Sequence, residues 1–353
     1  MNRVSPSTYR GVRVIGTGST SEALRMQTLP MSAPGPNEVR IRVEAIGLNR
    51  AENVFRKGRY MYAPNPGAPI GYEAAGVVDA IGSGVSDLAV GDWVSTVPAF
   101  SMNDYGVYGE YAIVPAYAAV KYPPSLSPQE AASIWMQYIT AYGALIHHGE
   151  LKRGQTVLLT AATGGVGIAA IQMAKQLGAT TIATTRKADK AALLRELGAD
   201  HVIVTESDDL PARVMEITQG RGAEIVFDAV GGAGFAGLIE ATARYGRVYI
   251  YGALAPDAVT GTPFPWRPVL SKRVRIQGYL LFELTYDPLR FGAQRPFDPE
   301  AYPRAIAFTL QGLQSGAFKP VIAREFDFED LLVAHDFVES DAQTGKVVVR
   351  VPT

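Results

Sequence analysis

The hydrophobic pattern changes character along the chain. Up to about residue 125, apolar positions come in short runs, some alternating with polar ones: Val39-Arg40-Ile41-Arg42-Val43, Ala74-Ala75-Gly76-Val77-Val78 and Glu110-Tyr111-Ala112-Ile113-Val114. Turn-forming stretches at 34–38, 63–71 and 122–128 separate them, and 85–94 reads as a turn feeding another strand. Successive strand side chains point to opposite faces, so this spacing predicts a β domain of short strands. At Ser127 the texture shifts. Ser127 and Glu130 form a Ser-x-x-Glu capping box, and Pro128 suits the first helical position. A helix is predicted over 128–147, ending at Gly149.

From 155 to about 282 the pattern alternates. Strands are predicted over 156–160, 180–185, 201–204, 223–227, 247–251 and 274–281, and helices over 168–177, 188–197, 210–219 and 235–245. Gly178, Gly198, Gly220 and Gly246 follow those helices, where a residue tolerant of positive φ is favoured. Apolar strands alternating with helices imply an α/β unit, a doubly wound parallel sheet covered on both faces. An irregular stretch over 285–303, a helix over 304–315 and a strand over 345–351 close the chain. One reading returns this tail to the β domain and leaves the α/β unit inserted between its halves.

The strongest chemical motif is Ala161-Ala162-Thr163-Gly164-Gly165-Val166-Gly167, between a predicted strand and helix. Glycines there allow a tight turn and let backbone N–H groups approach a pyrophosphate, with the helix N-terminus facing the anion. No Gly-Lys-Ser/Thr follows, so this is not a nucleoside-triphosphate loop. NAD sites place an acid about 20 residues further on, against the ribose 2′-hydroxyl. Here that place holds Thr184-Thr185-Arg186-Lys187-Ala188-Asp189-Lys190. No acid ends the strand. Arg186, with Lys187 and Lys190, suits a 2′-phosphate instead, so the expected cofactor is NADP(H) and Asp189 is expected to cap the next helix. Asp228, Gly252 and Leu281-Phe282 fall at the carboxyl ends of later strands, where open α/β sheets bind ligands. Gln137 and Thr140 lie one turn apart on the helix after Ser127.

Composition narrows the chemistry. A chain of 353 residues suggests two domains at about 150 residues each. With 33 basic and 34 acidic residues the net charge is -1, which gives no general electrostatic reason to bind nucleic acid or an anionic membrane. No apolar run long enough to span a bilayer occurs and the first residues carry no apolar signal core, so a soluble, cytoplasmic protein is expected. There is no cysteine, hence no disulfide, no thiol nucleophile and no cysteine-ligated zinc or iron–sulfur cluster. The four histidines are His147, His148, His201 and His335, and none lies in a His-Glu-x-x-His pattern. His147-His148 ends a helix, where cations suit the dipole, and no catalytic role is assigned to it.

Gly47-Leu48-Asn49, Gly71-Tyr72-Glu73-Ala74-Ala75-Gly76, Val90-Gly91-Asp92-Trp93-Val94, Ala161–Gly167, Phe227-Asp228-Ala229-Val230-Gly231-Gly232 and Thr344-Gly345-Lys346-Val347 come in an order that resembles the medium-chain dehydrogenase/reductase superfamily. The zinc-independent, quinone oxidoreductase-like branch is the more similar. The resemblance spans nearly the whole chain. It implies a GroES-like β domain and a Rossmann domain with the active site in the cleft between them. The domains are then 1–127, 128–284 and a return to the GroES-like domain over 285–353. Zinc enzymes of the superfamily bind catalytic zinc through Cys, His and Cys. Motif matching puts Asn49, Tyr72 and approximately Met136 there, and Phe100–Tyr108 near the place of the structural-zinc loop, so no metal is expected.

Without zinc to polarise an oxygen, simple alcohols are poor substrates, whereas quinones and α,β-unsaturated carbonyls delocalise the developing oxyanion. The resemblance places Asn49 near the substrate carbonyl. A tyrosine in the loop after Arg56 supplies a proton in related enoyl reductases, which marks Tyr60, with Tyr62 an equally placed competitor. Glu73 is expected to orient neighbours rather than move protons. Thr140 is expected near nicotinamide and Lys346 near the cofactor. The leading expectation is an NADPH-dependent reductase of an apolar, electron-poor quinone or enone. An enoyl-thioester reductase, an alcohol or carbonyl oxidoreductase and a non-catalytic dinucleotide-binding protein are the alternatives. The family also implies a homodimer. Segments 53–66 and 283–300 are expected to shape the acceptor pocket, with Phe282, Tyr286, Phe291 and Phe297 as apolar candidates.

Overall fold

In the computed structural model, which describes residues 6–285 and 298–352, strands β1 (Thr8–Val14) and β2 (Leu24–Pro30) form an antiparallel pair around the short helix α1 (Thr20–Ala23). The chain continues through β3 (Glu38–Leu48), α2 (Arg50–Arg56), β4 (Glu73–Ile81), β5 (Trp93–Thr96), β6 (Tyr111–Pro115), β7 (Ala119–Lys121), α3 (Pro128–Ala131) and α4 (Trp135–Tyr142). The α/β region holds β8 (Thr156–Leu159), α5 (Gly165–Leu177), β9 (Thr180–Thr185), α6 (Ala191–Glu196), β10 (His201–Val204), α7 (Leu210–Ile217), β11 (Ala223–Asp228), α8 (Phe235–Ala241) and β12 (Thr242–Ile250). Next come α9 (Ala258–Gly261), α10 (Trp266–Lys272), β13 (Arg275–Gly278), α11 (Phe282–Thr285), α12 (Ala301–Gln314), β14 (Ile322–Asp327), α13 (Leu331–Glu339) and β15 (Lys346–Arg350).

Contacts divide the chain into two units: residues up to 136 with those from 320 onward, and residues 137–319. The first is built on β3, whose buried positions make it a central strand. One edge of β3 is covered by β4, while the other is shared, β6 pairing with residues Glu38 to Arg42 and β15 with Ala45 to Leu48. The sheet runs β14-β15-β3-β4-β5-β7. Because Val347 pairs with Leu48, the C-terminal strand brings Lys346 to the end of β3. The second unit is a six-stranded parallel sheet ordered β10-β9-β8-β11-β12-β13, the doubly wound Rossmann order. Leu158, Ile182, Ile203, Val226 and Val248 from its strands pack with Val214, Leu238 and Ile239 from its helices, which explains their continuous apolar runs.

Two of the expected helices need correction. The helix expected over 128–147 is broken. Its predicted capping box forms, but α3 stops at Ala131. The Glu73 carboxylate then accepts the N–H groups of Trp135 (2.7 Å) and Met136 (3.1 Å) and starts α4. Gly143–His147 continues as a π turn, where the Tyr279 hydroxyl donates to the Ile139 carbonyl (3.2 Å) that an α-helix would give to Gly143. The helix expected over 235–245 ends at Ala241, closed by the Thr242 hydroxyl on the Leu238 carbonyl (2.7 Å), and β12 starts at once. The boundaries also differ. Residues 128–136 group with the first unit and 298–319 with the second, because Phe308 packs on Tyr142 (5.4 Å) and Phe318 (5.6 Å) while Phe318 stacks on Tyr138 (5.2 Å). No helix among the described residues is long and apolar enough to cross a membrane.

Gly47 sets how closely β3 meets the chain before α4. A Cβ there would lie 1.8 Å from the Ala132 carbonyl oxygen and 2.9 Å from Lys346 Cε. Gly47→Ala is expected to lower the unfolding free energy by about 1–3 kcal/mol, whereas Gly234→Ala should change it by less than about 0.5 kcal/mol. A Cβ at Gly234 meets nothing within 4 Å. Denaturant unfolding of both variants checks this, and equal losses would refute the packing argument.

Candidate functional site

In the second unit, β8 ends at a turn in which Ala161 has φ +47° and Gly164 is the N-cap of α5. An α-helix leaves its first-turn N–H groups without intrahelical acceptors, here those of Gly165, Val166 and Gly167. Two glycines are dictated by packing as well as by approach. A Cβ on Gly165 would lie 2.1 Å from Gln137 Oε1, and one on Gly167 would lie 2.5 Å from Ala162 Cα. Thr163, Gly164, Gly165 and Val166 are half-buried, so this rim reaches solvent. Gln137 and Thr140 are buried.

Asp228 is fully buried. Its Oδ1 accepts from the Thr160 hydroxyl (2.6 Å) and the Val230 N–H (2.9 Å), and its Oδ2 accepts from the Gly231 N–H (3.0 Å). It therefore shapes the loop after β11 from within. Gly252 lies against Ala229, whose carbonyl oxygen would be 2.8 Å from an added Cβ. Buried Thr185 ends β9, its hydroxyl donating to the Lys187 carbonyl (3.3 Å). Arg186 follows it, exposed, and among the described residues its side chain has no hydrogen-bond or ion-pair partner. Lys190 sits in a 3₁₀ turn with Asp189, which makes no side-chain cap for α6. Phe282 is buried and opens α11 rather than ending a strand. Tyr286, Phe291 and Phe297 lie outside the described residues.

In the first unit a second cluster forms where β3, β4 and β15 meet. Lys346, 5% exposed, donates to both Glu73 Oε2 and Asn49 Oδ1. Asn49 directs its amide nitrogen at Glu52 Oε1 (3.2 Å) and the Gly47 carbonyl (3.4 Å). Both ends of that amide are thus held by the protein. Glu52 Oε1 also accepts the Tyr72 N–H (3.2 Å), while Glu52 Oε2 is buried without a partner among the described residues. Burial pushes the Glu52 carboxyl up to about 7, with Lys346 and Asn49 pulling it partway back. Tyr60 is half-buried, and its oxygen accepts from Tyr72 (3.4 Å). Burial raises the pKa of both phenols, so they stay neutral donors. His335 is buried and pushed down to about 3 by burial and then by Arg56, so it is neutral.

The residues at the zinc-ligand positions do not fit a zinc ion. Asn49 already faces an ammonium group that would repel a divalent cation, and the Tyr72 hydroxyl meets Tyr60 and Tyr62 (2.9 Å). Among the described residues no group of three or more His, Cys, Asp or Glu side chains is placed to hold a metal.

Comparison with known proteins agrees with this layout. Residues 35–124 match the alcohol dehydrogenase GroES-like domain family, and residues 165–291 match the zinc-binding dehydrogenase family. A quinone oxidoreductase of Pseudomonas aeruginosa is 36% identical over 242 residues, covering 68% of this chain and 72% of that protein. A probable quinone oxidoreductase of Leishmania amazonensis is 30% identical over 98% of this chain and 99% of its own length. The chain is a medium-chain dehydrogenase/reductase of the quinone oxidoreductase type. A mycobacterial protein solved in complex with NADPH superposes on it with a TM-score of 0.83 at 30% identity, covering 97% of this chain and 99% of that one.

Within this oxidoreductase family member, the glycine turn, Thr140, Gly252 and the Arg186 strand end all belong to the Rossmann unit, where a nicotinamide dinucleotide cofactor would bind. Asn49, Tyr60 and Lys346 belong to the other unit. Glu52 was missed by the sequence reading. Asn49-x-x-Glu52 has the spacing of an N-cap and the third helical residue, which reaches back to the cap.

A carboxyl with a raised folded-state pKa binds its proton more tightly folded than unfolded. Its contribution to stability is full below the ordinary value of 4.5 and is lost as pH rises through about 7. Glu52→Gln keeps an oxygen for Asn49 and cannot ionise. Relative to the wild type, this variant should gain about 1–3 kcal/mol between pH ~5 and pH ~8. Unfolding measured across that range checks it, and parallel pH profiles would show that Glu52 does not titrate there.

Proposed function

We propose that this protein is an NADPH-dependent oxidoreductase that reduces quinones or activated enones without a metal ion. The observation that carries the cofactor preference is Arg186, an exposed guanidinium at the end of β9 where NAD-preferring sites carry an acid. With Thr185 and Lys190 it would hold the 2′-phosphate. The α5 N-terminus, Thr163 and the glycine turn would hold the pyrophosphate, with Thr140, Gly252 and Phe282 around the remainder and Asp228 shaping the loop beside it. When bound, the reduced nicotinamide supplies hydride.

The acceptor class follows from the donors available. Tyr60 is a neutral phenol, whereas the Asn49 amide is held at both ends and the Lys346 ammonium is already paired with Glu73. Neutral donors favour an acceptor that spreads its own negative charge, as quinones and enones do. On this reading Tyr60 is the acid that protonates the reduced enone. Asn49 and Lys346 fix the floor of the site. Tyr60 also favours the alternative of an enoyl thioester as the natural acceptor.

Steady-state assays with NADPH and NADH over quinones, enones, enoyl thioesters and alcohols, with and without chelator, test the reading. Quinones or enones should turn over, alcohols should not, and chelator should change nothing. Arg186→Ala should raise the KM for NADPH by roughly tenfold or more, through loss of a charge-assisted phosphate contact, and should leave the KM for NADH nearly unchanged. Equal effects on both cofactors, or inactivation by chelator, would overturn it.

We further propose a homodimer formed through the Rossmann unit. Strand β13 ends the sheet order, and close to it in sequence lie the exposed side chains of Val259 (85%), Trp266 (74%) and Leu270 (75%). Trp266→Asp with Leu270→Asp is expected to convert a dimer to a monomer in light-scattering measurements; a wild-type monomer would dismiss the proposal.

A further inference from the structure

Between Phe55 and Phe100 in the first unit, Tyr60, Tyr62 and Tyr72 pack as a knot of rings. Tyr60 and Tyr62 meet edge to face at 5.3 Å, Phe55 meets Tyr62 at 5.6 Å, and Tyr72 meets Phe100 at 5.6 Å. Packing alone asks nothing of the hydroxyls, yet all three are joined. The Met102 N–H donates to Tyr62 Oη (3.0 Å), Tyr62 Oη lies 2.9 Å from Tyr72 Oη, and Tyr72 donates to Tyr60 Oη (3.4 Å).

The direction of this chain follows from valence. A backbone N–H can only donate, so Tyr62 Oη accepts at that end. Tyr72 has a single hydroxyl proton and gives it to Tyr60, so the proton in the Tyr62–Tyr72 bond comes from Tyr62. The Tyr60 proton is then the last in the series, and among the described residues no acceptor takes it. Tyr60 is thus the end of the chain whose proton is left for a bound acceptor.

We propose that Tyr62 and Tyr72 are positioning residues that, anchored on the Met102 N–H, turn the Tyr60 hydroxyl outward and support negative charge on its oxygen when it gives up its proton. The inference rests on the reading of Tyr60 as the acid. In that step the Tyr60 O–H bond breaks, a C–H bond forms at the α-carbon of the reduced acceptor, and the electron pair stays on Tyr60 Oη. There it accepts a shorter, charge-assisted bond from Tyr72, and solvent later returns the proton. Burial works against a phenolate at this place, which gives the Tyr72 donor its purpose.

Two measurements test this, one without cofactor or substrate. With 3-nitrotyrosine incorporated at position 60, the phenol titrates within reach and is read by visible absorbance. A hydrogen bond to a charged group contributes about 1.5–3 kcal/mol, so Tyr72→Phe should raise that titration by about one pH unit, with a smaller rise for Tyr62→Phe. No shift would overturn the proposal. If the nitro group perturbs folding, 3-fluorotyrosine followed by ¹⁹F resonance reports the same coupling. The second measurement is a double-mutant cycle on enone reduction. Tyr72→Phe should lower kcat roughly tenfold at constant KM in the wild type and have no further effect in Tyr60→Phe. Independent, multiplicative losses would show that Tyr72 acts on structure alone. If Tyr60→Phe does not slow the enone reaction, the acid role of Tyr60 falls, while the nitrotyrosine titration still decides the wiring.

Discussion

The buried carboxylate of Glu73 is the interaction on which the first unit depends. One oxygen takes the Lys346 ammonium from the C-terminal strand, and the other takes the N–H groups of Trp135 and Met136. A charge removed from water is tolerable only when its lone pairs are filled, and here they are filled by groups more than 60 residues further along the chain. The carboxylate thereby fixes where β15 docks on β3, where α4 starts, and how Asn49 is oriented through Lys346. Removing either charge would leave its partner buried and unpaired, which costs far more than the pair contributes.

The two units reach function by different means. In the Rossmann unit the shape is made by backbone and by missing side chains: glycines that leave room for Gln137 and Ala162, and an aspartate turned inward to hold its loop. On the proposed reading, the recognition of the cofactor's charge falls to Arg186, which is exposed. In the other unit the work is done by polar side chains that restrain one another, so that Asn49, Lys346 and Glu73 form a closed set and Glu52 keeps one oxygen without a partner among the described residues.

What the sequence disclosed followed how local each signal was. The strand–turn–helix around Gly164 to Gly167 and the alternation behind the parallel sheet are local and were legible. The break in the helix after Ser127 was not, because it is made by Glu73 and Tyr279 from outside the segment. The unit boundary near 320 depends on Phe308 and Phe318 finding Tyr142 and Tyr138, a contact with no sequence period. Glu52 was readable in principle from its distance to Asn49. The alignment of Tyr62 with Tyr72 was not, since it needs the loops around 60 and 102 to be folded first.

A tyrosine at position 72, where zinc relatives keep a histidine, has a chemical consequence. Imidazole binds a cation and through it stabilises full negative charge on oxygen; a buried phenol stays neutral and offers one directional proton. Single donors of this kind are worth about 10²–10³ in rate, well short of what a simple alkoxide demands near neutral pH. An acceptor whose conjugation carries most of the developing charge closes that gap by itself. On the proposed reading, the preference for quinones and enones is therefore a property of the hydroxyl network as much as of the pocket that admits them.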